Sequence, residues 1–151
     1  KAHVNYTSYN RRVLLSGEVP SEDARAEAER LTLATNNVAG VFNELTVGPA
    51  SSFGDRSNDS FITSKVKSRF VDAGKFNPMH VKVVTEAGTV FLLGLVTQAE
   101  ANSAVQVART TSGVKKVVNL IEVITPAKAR ELDVAQKGSG NAPPPAPVEQ
   151  R

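Results

Sequence analysis

The chain of 151 residues carries 18 basic and 15 acidic side chains, a net charge of +3, with 40% hydrophobic residues and no cysteine. Such a length holds one ordinary domain or two small ones; the missing cysteines exclude disulfides, thiolate metal sites and cysteine nucleophiles, and no apolar run approaches the roughly 18 residues of a membrane-spanning helix. The positive excess sits in residues 57–124, with 8 basic and 5 acidic groups, which is too sparse for the basic stripe of a nucleic-acid binder and suits weak attraction to an anionic surface.

Residues 3–8 alternate polar and apolar and predict a strand, and the polar turn Tyr9-Asn10-Arg11 closes a hairpin onto a second strand over 13–19. Ser21 is placed to cap a helix over 21–35, and the valine-rich residues 40–47 return as a third strand. Residues 49–56, rich in glycine, proline and serine, read as a linker. A helix over 57–74 follows, with Asn58 or Asp59 as cap, Ile62, Val66, Phe70 and Ala73 as its core stripe and Gly74 as its stop. Strands over 80–85 and 90–96 flank the turn Glu86-Ala87-Gly88; Thr97 then caps a helix over 98–111, and residues 115–124 form a last strand. Within the tail, 127–137 carries a short helical pattern, whereas 138–151 reads as a linker-like or disordered end whose Pro143-Pro144-Pro145 favours an extended polyproline conformation.

The chain repeats itself. At an offset of 77, Val13-Leu14-Leu15-Ser16-Gly17-Glu18-Val19 lies over Val90-Phe91-Leu92-Leu93-Gly94-Leu95-Val96, and at 76, Val38, Val41, Asn43, Leu45 and Val47 lie over Val114, Val117, Asn119, Ile121 and Val123. The matched glycines predict a bulge or the close approach of a helix, and the matched asparagines predict side chains that satisfy strand-edge backbone. The order helix, strand, strand, helix, strand, with Gly94-Leu95-Val96 in the second strand and Ser112-Gly113-Val114, Val117 and Asn119 around the third, resembles the BON domain of bacterial envelope proteins. Two copies in tandem are similar to the dual-BON outer-membrane lipoproteins of Gram-negative bacteria.

The resemblance implies an α+β fold of two small αββαβ domains, the first lacking its opening helix, each a three-stranded mixed sheet packed on helices. Residues 1–48 form the first domain, 49–56 the linker, 57–124 the second domain and 125–151 a flexible tail. It also implies a non-enzymatic periplasmic protein, held at the inner leaflet of the outer membrane by an N-terminal lipid anchor, that supports outer-membrane integrity. No cysteine able to carry such an anchor is present in this sequence. In the family, the first helix of the second domain binds anionic phospholipid and has a tryptophan where this chain has Phe61.

On that helix the candidate lipid contacts are Phe61, Ile62, Lys65, Lys67, Arg69, Val71 and Lys75. An exposed apolar anchor with flanking lysines is what interfacial binding requires; the competing reading makes Phe61 a staple against the linker and the lysines a solvated face. The second copy is also apolar on both sheet faces, with Phe91, Leu93 and Leu95 opposite the helix side and Val118 and Leu120 beside them. So large a patch predicts a cover: the other domain first, the segment after Thr125 second, a partner protein third.

Nothing in the inventory points to catalysis, a cofactor or a metal. There is no G-x-S-x-G, no phosphate-cradling glycine loop before a helix and no H-E-x-x-H. His3 and His80 sit at equivalent strand starts, far apart in sequence and without a nearby carboxylate cluster, which predicts turn or edge roles rather than metal binding. Glu22, Asp23, Glu27 and Glu29 read as a solvated helix face. Few aromatics accompany the valine-rich strands, so no stacking platform for nucleic acid is expected. Envelope proteins or peptidoglycan, bound by a scaffold in the same compartment, are the alternative partners.

Overall fold

The computed structural model describes residues 2–141. In the first half, β1 (His3–Tyr9) and β2 (Arg12–Val19) form an antiparallel hairpin, α1 (Glu22–Leu33) crosses over, and a broken third lane, β3 (Gly40–Asn43) with β4 (Thr46–Val47), pairs parallel to β2. The second half repeats this pattern with β5 (Val81–Glu86), β6 (Thr89–Val96), α3 (Gln98–Arg109), β7 (Lys116–Asn119) and β8 (Glu122–Val123). It is preceded by the long helix α2 (Phe53–Ala73) and a short 3₁₀ turn over Pro78–His80. Each half is therefore a mixed sheet of three lanes packed on helices, as the repeat predicts.

Ser21 and Thr97 cap α1 and α3, accepting from the amides of Ala24 and Glu100. Helix α2 starts earlier than its sequence suggests. Ser52 and Asp55 form a reciprocal capping box, which draws Phe53 to Arg56 out of the expected linker and into the helix. Asp59, expected as a cap, lies instead within the helix, and Gly74 ends it in the left-handed conformation, φ 60°. After Val123, Thr125 accepts from the Lys128 amide and starts α4 (Pro126–Asn141), which runs four residues past the expected helical pattern. The proline run at 143–145 lies outside the described residues.

Alternation along β2 and β6 divides the core in three. On the helix side, Val13, Leu15, Val19 and Leu45 pack beneath α1, while Val90, Leu92 and Val96 pack with Ile62, Val66 and Phe70 of α2 and Ala101, Ala104 and Ala108 of α3. Phe76 closes the end of the second core, edge-on to Phe70 with ring centroids 4.9 Å apart. On the opposite faces, Leu14 of the first sheet meets Phe91 and Leu93 of the second, with Tyr9, Phe42, Val84, Val118 and Leu120 around them. The two sheets thus stand back to back and share an apolar layer. Leu95 is half-buried and not part of that layer; it meets Tyr9 through its backbone.

Gly17 and Gly94 have a different cause from a helix approach. Gly17 lies opposite Val4 and Gly94 opposite Val81, and a Cβ at either would collide with the carbonyl of the residue just before that partner, His3 or His80, so the neighbouring chain itself excludes a side chain. Asn43 donates to the Arg25 carbonyl and accepts from the Leu45 amide, and Asn119 accepts from the Ile121 amide, each holding the break in its third lane.

Candidate functional site

Helix α2 positions the surface of interest. At about 100° per residue, the face carrying Ile62, Val66 and Phe70 is sealed into the core, and the opposite face presents Phe61, Ser64, Ser68 and Val71 in one stripe. Phe61 is 61% exposed and Val71 64%; ten residues apart on a helix, they stand about 15 Å apart. Ile62 is only 1% exposed. The rotation that frees Phe61 turns its neighbour inward, and Ile62 is removed from the candidate lipid contacts because it reaches a membrane only if the domain opens.

The basic side chains divide into two kinds. Lys65 Nζ donates to the carbonyl and hydroxyl of Ser112 at 2.6 and 3.0 Å and stands 4.8 Å over the Phe61 ring. Arg69 donates to the Val107 carbonyl at 2.7 Å and to the hydroxyls of Thr110 and Thr111. Both cations cover the C-terminal end of α3, where unpaired carbonyls and the helix dipole favour positive charge. Lys67 and Lys75 are exposed and form no ion pair among the described residues. Their charge is available to a partner.

Met79 was not singled out by the sequence, yet it is 87% exposed. It sits on the 3₁₀ turn after α2, beside an apolar groove of about 300 Å³ lined by Val71, Pro78 and Met79 together with Lys67 and Lys82. The Asn77-Pro78 pair is the signal that could have found it: it marks a surface turn, which Asn77 caps by accepting from the Met79 amide.

The hairpin ahead of β6 is held by Asp59, whose carboxylate accepts from the amides of Ala87 and Gly88 at 2.8 and 2.9 Å. Both turn residues have positive φ, 50° and 82°, as a two-residue hairpin of this hand requires. Asp59 therefore fixes α2 to the sheet, and with it the orientation of Phe61.

The histidines are not remote from acids. His3 Nδ1 lies 3.1 Å from Glu18 Oε2, with Glu86 of the second sheet close by, and His80 Nε2 lies 3.7 Å from Asp133 of α4. Strand pairing, which sequence distance hides, makes these neighbours. Burial opposes ionisation of Glu18, but hydrogen bonds from His3 and Ser51 prevail and hold its carboxyl below the usual carboxylate range. On the solvated face of α1, Glu27 is likewise held low by its hydrogen bond from Arg30.

No helix among the described residues is long and apolar enough to cross a membrane. What the geometry defines is a tandem α+β module that presents one helix as an apolar and basic surface. The BON domain profile matches residues 1–49 and 58–125, and the chain belongs to the BON domain family. It is 45% identical over 124 residues to the outer membrane lipoprotein DolP of Haemophilus influenzae and 36% identical over 124 residues to the 21 kDa hemolysin of Actinobacillus pleuropneumoniae; each alignment covers 82% of this chain. The osmotically-inducible protein Y of Escherichia coli is 34% identical over 110 residues, covering 71% of this chain and 55% of that protein. The chain spans 64% of the length of each of the first two relatives.

Proposed function

We propose that this is a non-enzymatic protein of the bacterial envelope that binds anionic phospholipid through α2 and thereby supports outer-membrane integrity from the periplasmic side. One observation carries the reading: Phe61 and Val71 are exposed at the two ends of the outward stripe of α2, flanked by the exposed cations Lys67 and Lys75, which form no ion pair among the described residues. An aromatic anchor buries apolar area in the interface while lysines of about 1 kcal/mol each meet the headgroups. Such a total gives weak, reversible association, so stable residence needs a second attachment. The likeness to an outer membrane lipoprotein supports that location.

In the same proposal, the layer formed by Leu14, Phe91 and Leu93 holds the two domains as one body, so that α2 is presented in a fixed orientation. The test is a titration of the labelled protein with phosphatidylglycerol or phosphatidylcholine micelles, read by amide shifts. Perturbations confined to 60–79 with the anionic lipid, and lost in Phe61→Glu, are expected. Equal response to both lipids, or an unchanged response in Phe61→Glu, would overturn the reading.

A further inference from the structure

The junction of the two domains contains a second set of chemistry that the α2 surface does not use. His3 and Glu18 are directly opposite in the β1–β2 ladder, and the next pair on the same face is Asn5 with Ser16. Because the sheets stand back to back, this face meets the end of β5, where Glu86 projects from the second domain. Glu86 Oε1 accepts from Asn5 Nδ2 at 2.6 Å and from Ser16 Oγ at 3.0 Å. One nitrogen of His3 and one carboxylate oxygen each from Glu18 and Glu86 all lie within 4.8 Å of one another.

We propose that His3, Glu18 and Glu86 form a divalent-cation site of the zinc type, which joins the first domain to the second. The donor set of one imidazole and two carboxylates, with an open side, is one such ions accept. Ligand bonds of about 2.0–2.2 Å need only a contraction of the order of an ångström from the spacing present. The setting favours a cation on electrostatic grounds as well. The side chains of His3 and Glu18 are each only 14% exposed, and neither carboxylate pairs with a lysine or arginine among the described residues, so two acids from different domains face each other with only neutral donors and His3 bound to them.

Asn5 shows how the arrangement persists without an ion. Its Nδ2 spans Glu86 Oε1 and His3 Nε2, the latter at 3.4 Å, and so places a donor among the lone pairs that a metal would take. A half-turn of that amide presents Oδ1 instead, a fourth oxygen for the same ion. Access is open: His3, Asn5 and Glu86 also line a cleft of about 500 Å³ between β1, α2 and β5. Since two ligands come from one domain and one from the other, occupancy fixes the domain arrangement. This holds whether or not α2 binds lipid.

The experiment is calorimetric titration of the whole chain with ZnCl₂, paired with thermal melting and with amide-signal broadening by Mn²⁺. Wild type is expected to bind one Zn²⁺, to melt higher with it, and to show broadening centred on residues 3–5, 16–18 and 86. Glu86→Gln, nearly isosteric, should weaken binding at least about tenfold, whereas His80→Asn should leave it unchanged. Absence of a Zn²⁺-dependent signal, binding that survives Glu86→Gln, or broadening centred on His80 and Asp133 would overturn the site. The broadening map needs no variant, so the proposal stands or falls even if Glu86→Gln does not fold.

Discussion

The Tyr9 hydroxyl, at the end of the first strand of one domain, donates to the carbonyl of His80, where the sheet of the other domain begins, at 3.2 Å. This polar contact lies at the margin of the apolar layer of Leu14, Phe91 and Leu93. Burial raises the Tyr9 pKa above the ordinary tyrosine value, and the opposing hydrogen bond from the Leu95 backbone does not cancel it. A group whose folded value is raised contributes stability that is complete below the unfolded value and is lost as pH rises through the folded one. Tyr9→Phe should cost about 1 kcal/mol at neutral pH and should flatten the alkaline decline relative to wild type. Denaturation midpoints of both proteins between about pH 7 and 11 check this, and parallel profiles would count against Tyr9.

The shared layer makes a second prediction about domain motion. Leu14 is fully buried and Leu93 nearly so, although each lies on the sheet face turned away from its own helices. Leu93→Asp places a charge in that layer, so the two domains should tumble separately in amide relaxation while each keeps its own dispersed spectrum. Leu95→Asp, outside the layer, should leave the common tumbling in place. If Leu93→Asp tumbles as one body, the layer is not what joins the domains.

What the sequence disclosed and what it hid follow from the range of each interaction. Period-two alternation shows which side chains of β2 and β6 share a face, and the hydroxyl residues Ser21 and Thr97 ahead of helical spacing mark the caps, because both signals are local. Asp59 misled as a cap candidate because its partners, the amides of Ala87 and Gly88, belong to a turn 28 residues later. Arg69 and Lys65 were legible as charges, but that they serve the end of α3 depends on how two helices meet. Ile62 and Phe61 adjoin in sequence and part by one helical step. The His3, Glu18 and Glu86 cluster needs two strand registers and the docking of two sheets, none of which a motif search can see.

Asp59 gives the third prediction. Asp59 is 5% exposed, and its carboxylate accepts from two amides of the hairpin turn. Asp59→Ala strands both donors against α2, at about 1–3 kcal/mol for each buried group left unsatisfied. The urea midpoint should fall accordingly, by less in Asp59→Asn, which keeps one acceptor oxygen. A midpoint unchanged in Asp59→Ala would mean that the hairpin is held by its backbone alone.

The basic residues of α2 give the fourth prediction, because they separate binding from folding. Lys67 and Lys75 are exposed without an ion pair among the described residues, whereas Arg69 is spent on the Val107 carbonyl and two threonine hydroxyls at the end of α3. Neutralising Lys67 and Lys75 together should weaken association with phosphatidylglycerol vesicles by about 2 kcal/mol, or roughly thirtyfold, at low salt, with no change in melting temperature. The difference should shrink as ionic strength rises and the Debye length falls toward a few ångströms. Arg69→Ala should show the reverse pattern, a lower melting temperature from the uncovered carbonyls of α3 and, once folded, binding close to that of wild type. Vesicle co-sedimentation across a salt series, beside melting curves of the same samples, resolves the two. A lysine variant that binds as wild type does at low salt would show that the cations of α2 do not face the lipid.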